Sequence, residues 1–226
     1  MGRILVITAL EIELRALAGG LGGRVTREMD VWQSRVRKGG DEVTILAAGP
    51  GFLLARRAIE AYSGTPDAVV SAGLAGALDP SLEVGDIVLG TKVSGRTCEL
   101  AVSRLPHRCV EVLSQDRVAG TAEEKARLRS TGAGVVEMEA LEVVRYAEAI
   151  NTPAYCIKSI SDTAAESFAL DLNKARDKFG RFRASSVVWQ AIQQPGKGIP
   201  ELRRLKRNGE VAAKSLGAFF ADCTFG

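Results

Sequence analysis

The stretch Ala154-Tyr155-Cys156-Ile157-Lys158-Ser159-Ile160, followed by Ser161-Asp162-Thr163, decides the fold of this chain. The β-branched and aromatic content of its first seven residues is typical of a buried strand. The three polar residues come where that strand would end. In open α/β sheets the carboxyl ends of strands face the ligand crevice. The stretch therefore predicts an α/β fold with Asp162 in a binding site, although the three polar residues also suit an ordinary helix cap.

A second acidic run, Glu137-Met138-Glu139, lies where a short strand-like segment gives way to a helix predicted over residues 139–149. At the start of a helix, side chains two residues apart point in different directions, so at most one of the two glutamates would face a ligand in the same way. Both also suit the first turn of a helix, where the helix dipole favours acids. Together the two acidic runs predict an active site at one edge of the sheet.

Strands and helices alternate outward from these runs. A strand over residues 3–8 precedes a helix over 11–18, two strands flank the turn at 38–41, and another strand is predicted over 84–89. The alternation predicts a twisted, partly parallel sheet flanked by helices. We expect a single α/β catalytic domain over residues 1–194. Residues 195–226 are expected to form a basic amphipathic tail that is helical, with Leu202, Leu205, Ala212, Leu216 and Phe219 on one face.

Composition narrows the class of protein. The 226 residues are 46% hydrophobic, which is enough for one substantial core. The sequence shows neither an apolar stretch of membrane-spanning length nor a signal peptide, so we expect a cytoplasmic protein. The four cysteines lack the spacing of a metal cluster, and the single histidine, His107, excludes most histidine-dependent chemistries. We expect no metal, no other cofactor and no nucleic-acid partner.

Two glycine turns, Gly49-Pro50-Gly51 and Gly73-Leu74-Ala75-Gly76, follow predicted strands. Such turns let the backbone approach an anion or a sugar closely, and their exposed N–H groups bind phosphate well. Neither turn matches the Walker loop or the dinucleotide-binding fingerprint. A purely structural turn therefore stays open as the alternative at both places.

Taken in order, these runs resemble the superfamily of purine nucleoside phosphorylases and 5′-methylthioadenosine/S-adenosylhomocysteine nucleosidases, over about residues 3–190. The resemblance rests on the opening strand and helix, the two glycine turns, the strand Val84-Gly85-Asp86-Ile87-Val88, and the runs at 136–140 and 160–162. It implies a three-layer α/β fold with a twisted mixed sheet. It also implies cleavage of the N-glycosidic bond between ribose and a purine.

The same resemblance implies roles for residues of this sequence. Asp162, placed by Ser161, would protonate the purine at N7, and Glu13 would activate the attacking water. Glu139 would hold the ribose hydroxyls, and Met138 would pack against the sugar. The other implied substrate contacts are Glu137, Gly73, Leu74 and Val118. The implied phosphate contacts are Gly49, Gly51, Arg15 and Arg56.

The predicted function is release of adenine from a 5′-modified adenosine by a phosphorylase or a nucleosidase. The basic tail and Leu74 resemble the hopanoid-associated branch, which implies an adenosyl-hopanoid substrate and phosphate as co-substrate ahead of water. The basic amphipathic character of the tail itself predicts peripheral contact with the inner membrane, a helix packed on the body being the alternative. A homodimer is implied by the resemblance alone. The rival function is a catalytically inactive nucleoside-binding or regulatory protein, because relatives commonly carry serine or threonine where this chain has Leu74.

Overall fold

The strands of this chain form one mixed sheet. The structure, a computed structural model, describes residues 2–177, 181 and 183–226. Its strands are β1 (Arg3–Thr8), β2 (Thr26–Glu28), β3 (Val31–Lys38), β4 (Asp41–Ala47), β5 (Ala68–Ala77), β6 (Ile87–Val93), β7 (Arg96–Thr97), β8 (Arg108–Ser114), β9 (Val135–Glu137) and β10 (Ala154–Asp162). Their order in the sheet is β10-β6-β8-β9-β5-β1-β4-β3-β2, with β7 paired to β6.

Parallel pairing at the centre of the sheet determines where the site lies. β1 pairs in parallel with β4 and β5, and β5 pairs in parallel with β10. Because β10 also pairs with β6, strands β5, β10, β6, β8 and β9 close into a ring. The carboxyl ends of β1, β5 and β10 consequently lie along one edge of the sheet, as the sequence predicts for an α/β ligand site.

Helices cover both faces of the sheet. They are α1 (Glu11–Gly19), α2 (Phe52–Glu60), α3 (Ala122–Arg129), α4 (Ala140–Ala149), α5 (Ala184–Gln193) and α6 (Pro195–Asp222). One buried cluster joins the sheet to α2 and α4, and a second joins it to α1 and α6. Helices on two faces of one sheet make three layers, so the predicted three-layer α/β fold is confirmed.

The second half of α6 belongs to the core. Ala212, Leu216 and Phe219, three of the apolar residues predicted to share a face, are buried. Leu216 and Phe219 pack with α1 and the sheet. At Gly217 a Cβ would lie 2.5 Å from the carbonyl oxygen of Ala16, so the glycine lets the two helices approach closely. Within the described residues, no helix combines the length and apolarity that crossing a bilayer requires.

Candidate active site

A cavity of about 450 Å³ opens at the edge where the strand ends meet. That volume lies in the range of sites for small molecules. Its wall is largely apolar and includes Leu10, Ile12, Leu74, Val118 and Met138. Four carboxyl groups from three different parts of the chain also line it. They are Glu13, Glu137, Glu139 and Asp162.

Asp162 ends β10 and is buried, with 7% of its surface exposed. The Ser161 hydroxyl donates to its Oδ1 at 2.7 Å, and the Lys125 ammonium donates to its Oδ2 at 2.5 Å. Gly76 of the neighbouring strand gives the carboxyl its space, because a Cβ there would lie 2.9 Å from Oδ2. The carboxyl group is therefore fixed in one position and faces the cavity.

Glu13 lies in the first turn of α1, opposite the end of β5. Its Oε2 accepts hydrogen bonds from the Thr8 hydroxyl at 2.5 Å and from the backbone N–H groups of Ala9 and Leu10 at 2.9 and 2.7 Å. Its Oε1 accepts the backbone N–H of Leu74 at 2.8 Å. Backbone donors at a glycine turn and a helix start would suit an external anion. Here the carboxylate of Glu13 accepts the hydrogen bonds of these donors.

The two glutamates of the 137–139 run have different partners. Glu137 forms a buried ion pair with Lys158 at 2.8 Å and accepts the backbone N–H groups of Glu139 and Ala140 at 3.1 and 2.9 Å. Glu139 instead accepts the backbone N–H of Gly51 at 2.8 Å. Glu137 is thus held by a buried ion pair, and Glu139 points towards the first glycine turn.

This arrangement separates the proton affinities of the two carboxyl groups. Burial raises the pKa of Glu139 to about 8, and the negative charge of Glu137 adds to the effect. Burial acts in the same direction on Glu137, but the charge and hydrogen bond of Lys158, together with hydrogen bonds from Ser114 and the Ala140 N–H, hold that pKa below its ordinary value. Glu137 is therefore the charged member of the pair at neutral pH.

The structure does not bring the arginines of the predicted phosphate site to the cavity. Arg15 pairs with Glu11 at 2.7 Å and stacks on the Trp32 ring, and Arg56 pairs with Glu142 at 2.8 Å. Of the two glycines, Gly49 lines a neighbouring depression, while the N–H of Gly51 is used by Glu139. The predicted substrate contacts at 74, 118, 138 and 161 all line the cavity.

Sequence reasoning missed Lys125. The helix that carries it, Ala122–Arg129, is rich in charged residues, and nothing in that run distinguishes the lysine from its solvent-facing neighbours. Sequence reasoning also missed the contact between Asn173 and the cavity wall. The Asn173 amide accepts the backbone N–H of Val118 and donates to its carbonyl, both at 2.9 Å. The described residues contain no group of histidine, cysteine and acidic side chains that would hold a metal ion.

Comparison of the sequence with known families and proteins gives consistent results. A profile of the phosphorylase superfamily matches residues 3–107 and 106–192. The 5′-methylthioadenosine/S-adenosylhomocysteine nucleosidase of Chromohalobacter salexigens is 27% identical, and the match covers 83% of this chain and 95% of that protein. The nucleosidase of the same name from Shewanella piezotolerans is also 27% identical, over 66% of this chain and 80% of its own.

Solved structures share the fold. The 5′-methylthioadenosine/S-adenosylhomocysteine nucleosidase of Neisseria meningitidis, in complex with methylthio-immucillin-A, aligns with a TM-score of 0.68 and 19% identity, covering 98% of this chain and 97% of that one. The futalosine hydrolase of Helicobacter pylori aligns with a TM-score of 0.69 and 16% identity, covering 96% and 95%. At such low identity these structures establish the fold alone.

Proposed function

Because the chain belongs to the phosphorylase superfamily, we propose that it hydrolyses the N-glycosidic bond of a 5′-modified adenosine and releases adenine. Membership agrees with the resemblance predicted from the sequence. The observation that carries the proposal is the placement of Asp162, Glu139 and Glu13 around one cavity. Cleavage of a glycosidic bond requires an acid for the leaving group and an activated nucleophile on the opposite face of the sugar.

Each of the three carboxyl groups has a distinct task in this reaction. As the bond between C1′ and N9 breaks, its electron pair moves onto the purine, and Asp162 supplies a proton to N7. The sugar becomes an oxocarbenium-like cation, which Glu139 orients through the ribose hydroxyls. Glu13 takes a proton from water as the oxygen bonds to C1′. A positioned acid contributes roughly 10²–10⁴-fold, so orientation must supply much of the remaining acceleration.

We propose water as the nucleophile, where the sequence alone favoured phosphate. The four donors around Glu13 are all engaged by its carboxylate, so an incoming phosphate would meet a negative charge there. Arg15 and Arg56, the cations expected to bind phosphate, pair with glutamates away from the cavity. These hydrogen bonds fix the Glu13 carboxylate in position on the cavity wall, where it can orient a water molecule and receive its proton.

The test is adenine release, followed by chromatography, with and without phosphate. We expect release from 5′-methylthioadenosine at the same rate in both conditions, with a free sugar as the second product. Formation of a sugar 1-phosphate would make the protein a phosphorylase. A protein that binds adenine nucleosides and never cleaves them would be the nucleoside-binding or regulatory protein of the rival hypothesis.

The cavity wall supports an apolar 5′ substituent, and an adenosyl-hopanoid is our candidate within that class. Leu10 and Ile12 of the wall are partly exposed at 39% and 38%, and Phe168, Leu172 and Leu205 extend the apolar surface. Burying apolar area contributes about 25 cal/mol per Å², so a long hydrocarbon group would bind more tightly than a methylthio group. Comparison of kcat/KM for the two substrates decides: a higher value for 5′-methylthioadenosine would contradict this part of the proposal.

We also propose that the protein contacts an anionic membrane surface. Much of the tail's predicted apolar face packs inside the protein and is not available to a membrane. We therefore place the membrane contact at α5, where Trp189 is 61% exposed and Val188 and Ile192 are also exposed. Basic residues flank them at Arg183 and Lys197. Such a combination is typical of interfacial helices.

Sedimentation with phosphatidylglycerol vesicles tests the membrane contact. Trp189→Ser is expected to weaken binding, and Met29→Ser, which alters an exposed residue of the β2–β3 turn, serves as the control. Failure of the intact protein to sediment with the vesicles would contradict the proposal.

We also propose a homodimer. Sedimentation equilibrium should give twice the mass of 24.0 kDa, and the monomer mass would contradict this proposal.

A further inference from the structure

Lys125 is completely buried, with 0% of its surface exposed, although the helix around it is charged and solvent-facing. Its ammonium group donates to Asp162 Oδ2 at 2.5 Å, to the carbonyl oxygen of Thr163 at 2.7 Å and to that of Glu166 at 3.2 Å. An ammonium has three donors, and each has one acceptor here. The geometry of the group is thus fully determined.

A lysine in this position is costly unless its charge is compensated. Moving an ammonium out of water is strongly unfavourable, and an ion pair offsets this only with good geometry and further hydrogen bonds. Lys125 meets both conditions, and its counter-ion is the carboxyl group that faces the cavity.

We propose that Lys125 is a positioning residue for Asp162 and that the two side chains together form the proton-donating unit of the reaction. This inference rests on the proposed function. The pair consists of a carboxylate and an ammonium, so the proton comes from Lys125. As the C1′–N9 bond breaks and its electron pair moves onto the purine, Lys125 Nζ passes a proton to Asp162, and Asp162 passes one to N7. Lys125 becomes a neutral amine while Glu13 takes a proton from water, so the net charge of the site is unchanged. Exchange with solvent after product release restores both groups.

The surroundings of the pair fix it against the cavity wall. Phe168 lines the cavity, and the Lys125 ammonium lies 5.4 Å from its ring centroid. On the other side, Arg204 of α6 pairs with Glu166 at 2.8 Å and approaches the same ring. Lys125 therefore also ties the segment after β10 to the site. Its replacement must be tested with a readout that a purely structural loss would not imitate.

The experiment compares two leaving groups in wild type, Lys125→Met and Lys125→Arg. One substrate is 5′-methylthioadenosine, whose adenine must be protonated, and the other is a 4-nitrophenyl riboside, whose phenolate departs as a stable anion. For Lys125→Met we expect kcat on the nucleoside to fall about 100-fold, within the range for a positioned acid, with KM changed less than about threefold. On the nitrophenyl substrate the fall should stay below about fivefold. Lys125→Arg keeps a positive charge beside Asp162, but a guanidinium does not release a proton, so its kcat on the nucleoside should stay close to that of Lys125→Met. Recovery to wild-type activity would show that Lys125 does not supply the proton.

Two controls separate position from protein stability. Arg127→Met changes an exposed residue of the same helix and should leave both rates unchanged. Lys125→Met should add little to the loss caused by Asp162→Asn, since residues that act as one unit are strongly non-additive. Equal loss on both substrates, or full activity of Lys125→Met on the nucleoside, would overturn the inference while leaving the proposed function standing. A wild type that cleaves only the nitrophenyl substrate would overturn both.

Discussion

In the described part of the protein, two buried pairs of a lysine and a carboxylate lie beside the same cavity, and they have different environments. In the first, Lys158 pairs with Glu137, and their side chains are 1% and 0% exposed. In the second, Lys125 pairs with Asp162, whose side chain retains 10% exposure. Glu137 is further fixed by backbone N–H groups of its own helix start, whereas Asp162 is held by two side chains.

The difference indicates different roles. The Lys158–Glu137 pair has almost no exposed surface and orders the start of α4, from which Glu139 reaches the first glycine turn. Both carboxyl groups line the cavity, but the Asp162 side chain keeps 10% exposure where that of Glu137 keeps none. In the proposed reaction, these chemically similar pairs serve two purposes: one builds the sugar end of the site and the other supplies a proton. Variants of the two pairs and of their neighbours should therefore affect turnover and stability differently.

The largest effect is expected for Asp162→Asn. The amide has nearly the same shape as the carboxyl group but cannot donate the required proton, so kcat should fall by roughly 10²–10⁴-fold. Binding of adenine nucleosides, measured by calorimetry, should be retained. A variant that keeps more than a tenth of wild-type turnover would remove Asp162 from the proposed role.

Lys158→Met should act on stability. It leaves the Glu137 carboxylate buried without its counter-ion, and breaking such a pair costs about 3–5 kcal/mol of unfolding free energy. Urea denaturation measures this loss. In the double variant Lys158→Met with Glu137→Gln the loss should be smaller, because no charge is left unpaired. Lys92→Met, at an exposed lysine of β6, is the control and should stay within about 0.5 kcal/mol of wild type.

The raised pKa of Glu139 predicts a pH-dependent stability. Between its ordinary value of 4.5 and the folded value of about 8, the folded protein binds more protons at this group than the unfolded chain does. The unfolding free energy should therefore fall as pH rises through this window, by at most roughly 1.4 kcal/mol per unit. Glu139→Gln should flatten that slope. An unchanged slope in the variant would show that Glu139 does not have this proton affinity.

The smallest effect is expected for Arg15→Gln and Arg56→Gln. Both side chains lie outside the cavity, and Glu142 keeps Arg145 as a partner at 3.0 Å when Arg56 is replaced. We expect kcat/KM within about twofold of wild type. A loss greater than tenfold that added phosphate relieved would restore these arginines to a phosphate site.

Local sequence patterns predicted the fold well, because strand and helix periodicity reflects which side of each element is buried. Boundaries were less accurate. The strand predicted over residues 84–89 is instead Ile87–Val93, since Gly85 adopts a left-handed conformation with φ of 94° and bonds to Ile160 across the sheet. Such a contact joins residues far apart in the chain and leaves little trace in the local pattern.

The site was predicted in part for the same reason. Asp162 and Glu139 follow strands, so their place at the sheet edge could be inferred from the sequence. The burial of Lys125 depends on how α3 packs against the segment after β10, and the local pattern around it suggests a surface residue. Three of the four donors of Glu13 come from the end of β1 and the two residues after it, and the fourth comes from β5. Only the parallel pairing of β1 and β5 brings them together. Because this pairing lets the Glu13 carboxylate occupy all four donors, we propose water and not phosphate as the nucleophile.

The most direct test of hydrolysis is to run the reaction with 5′-methylthioadenosine in ¹⁸O-labelled water containing phosphate. The mass of the sugar product is then determined by mass spectrometry. We predict one ¹⁸O atom at C1 of a free sugar, released together with adenine. A sugar 1-phosphate without the label would contradict a role for Glu13 in activating water.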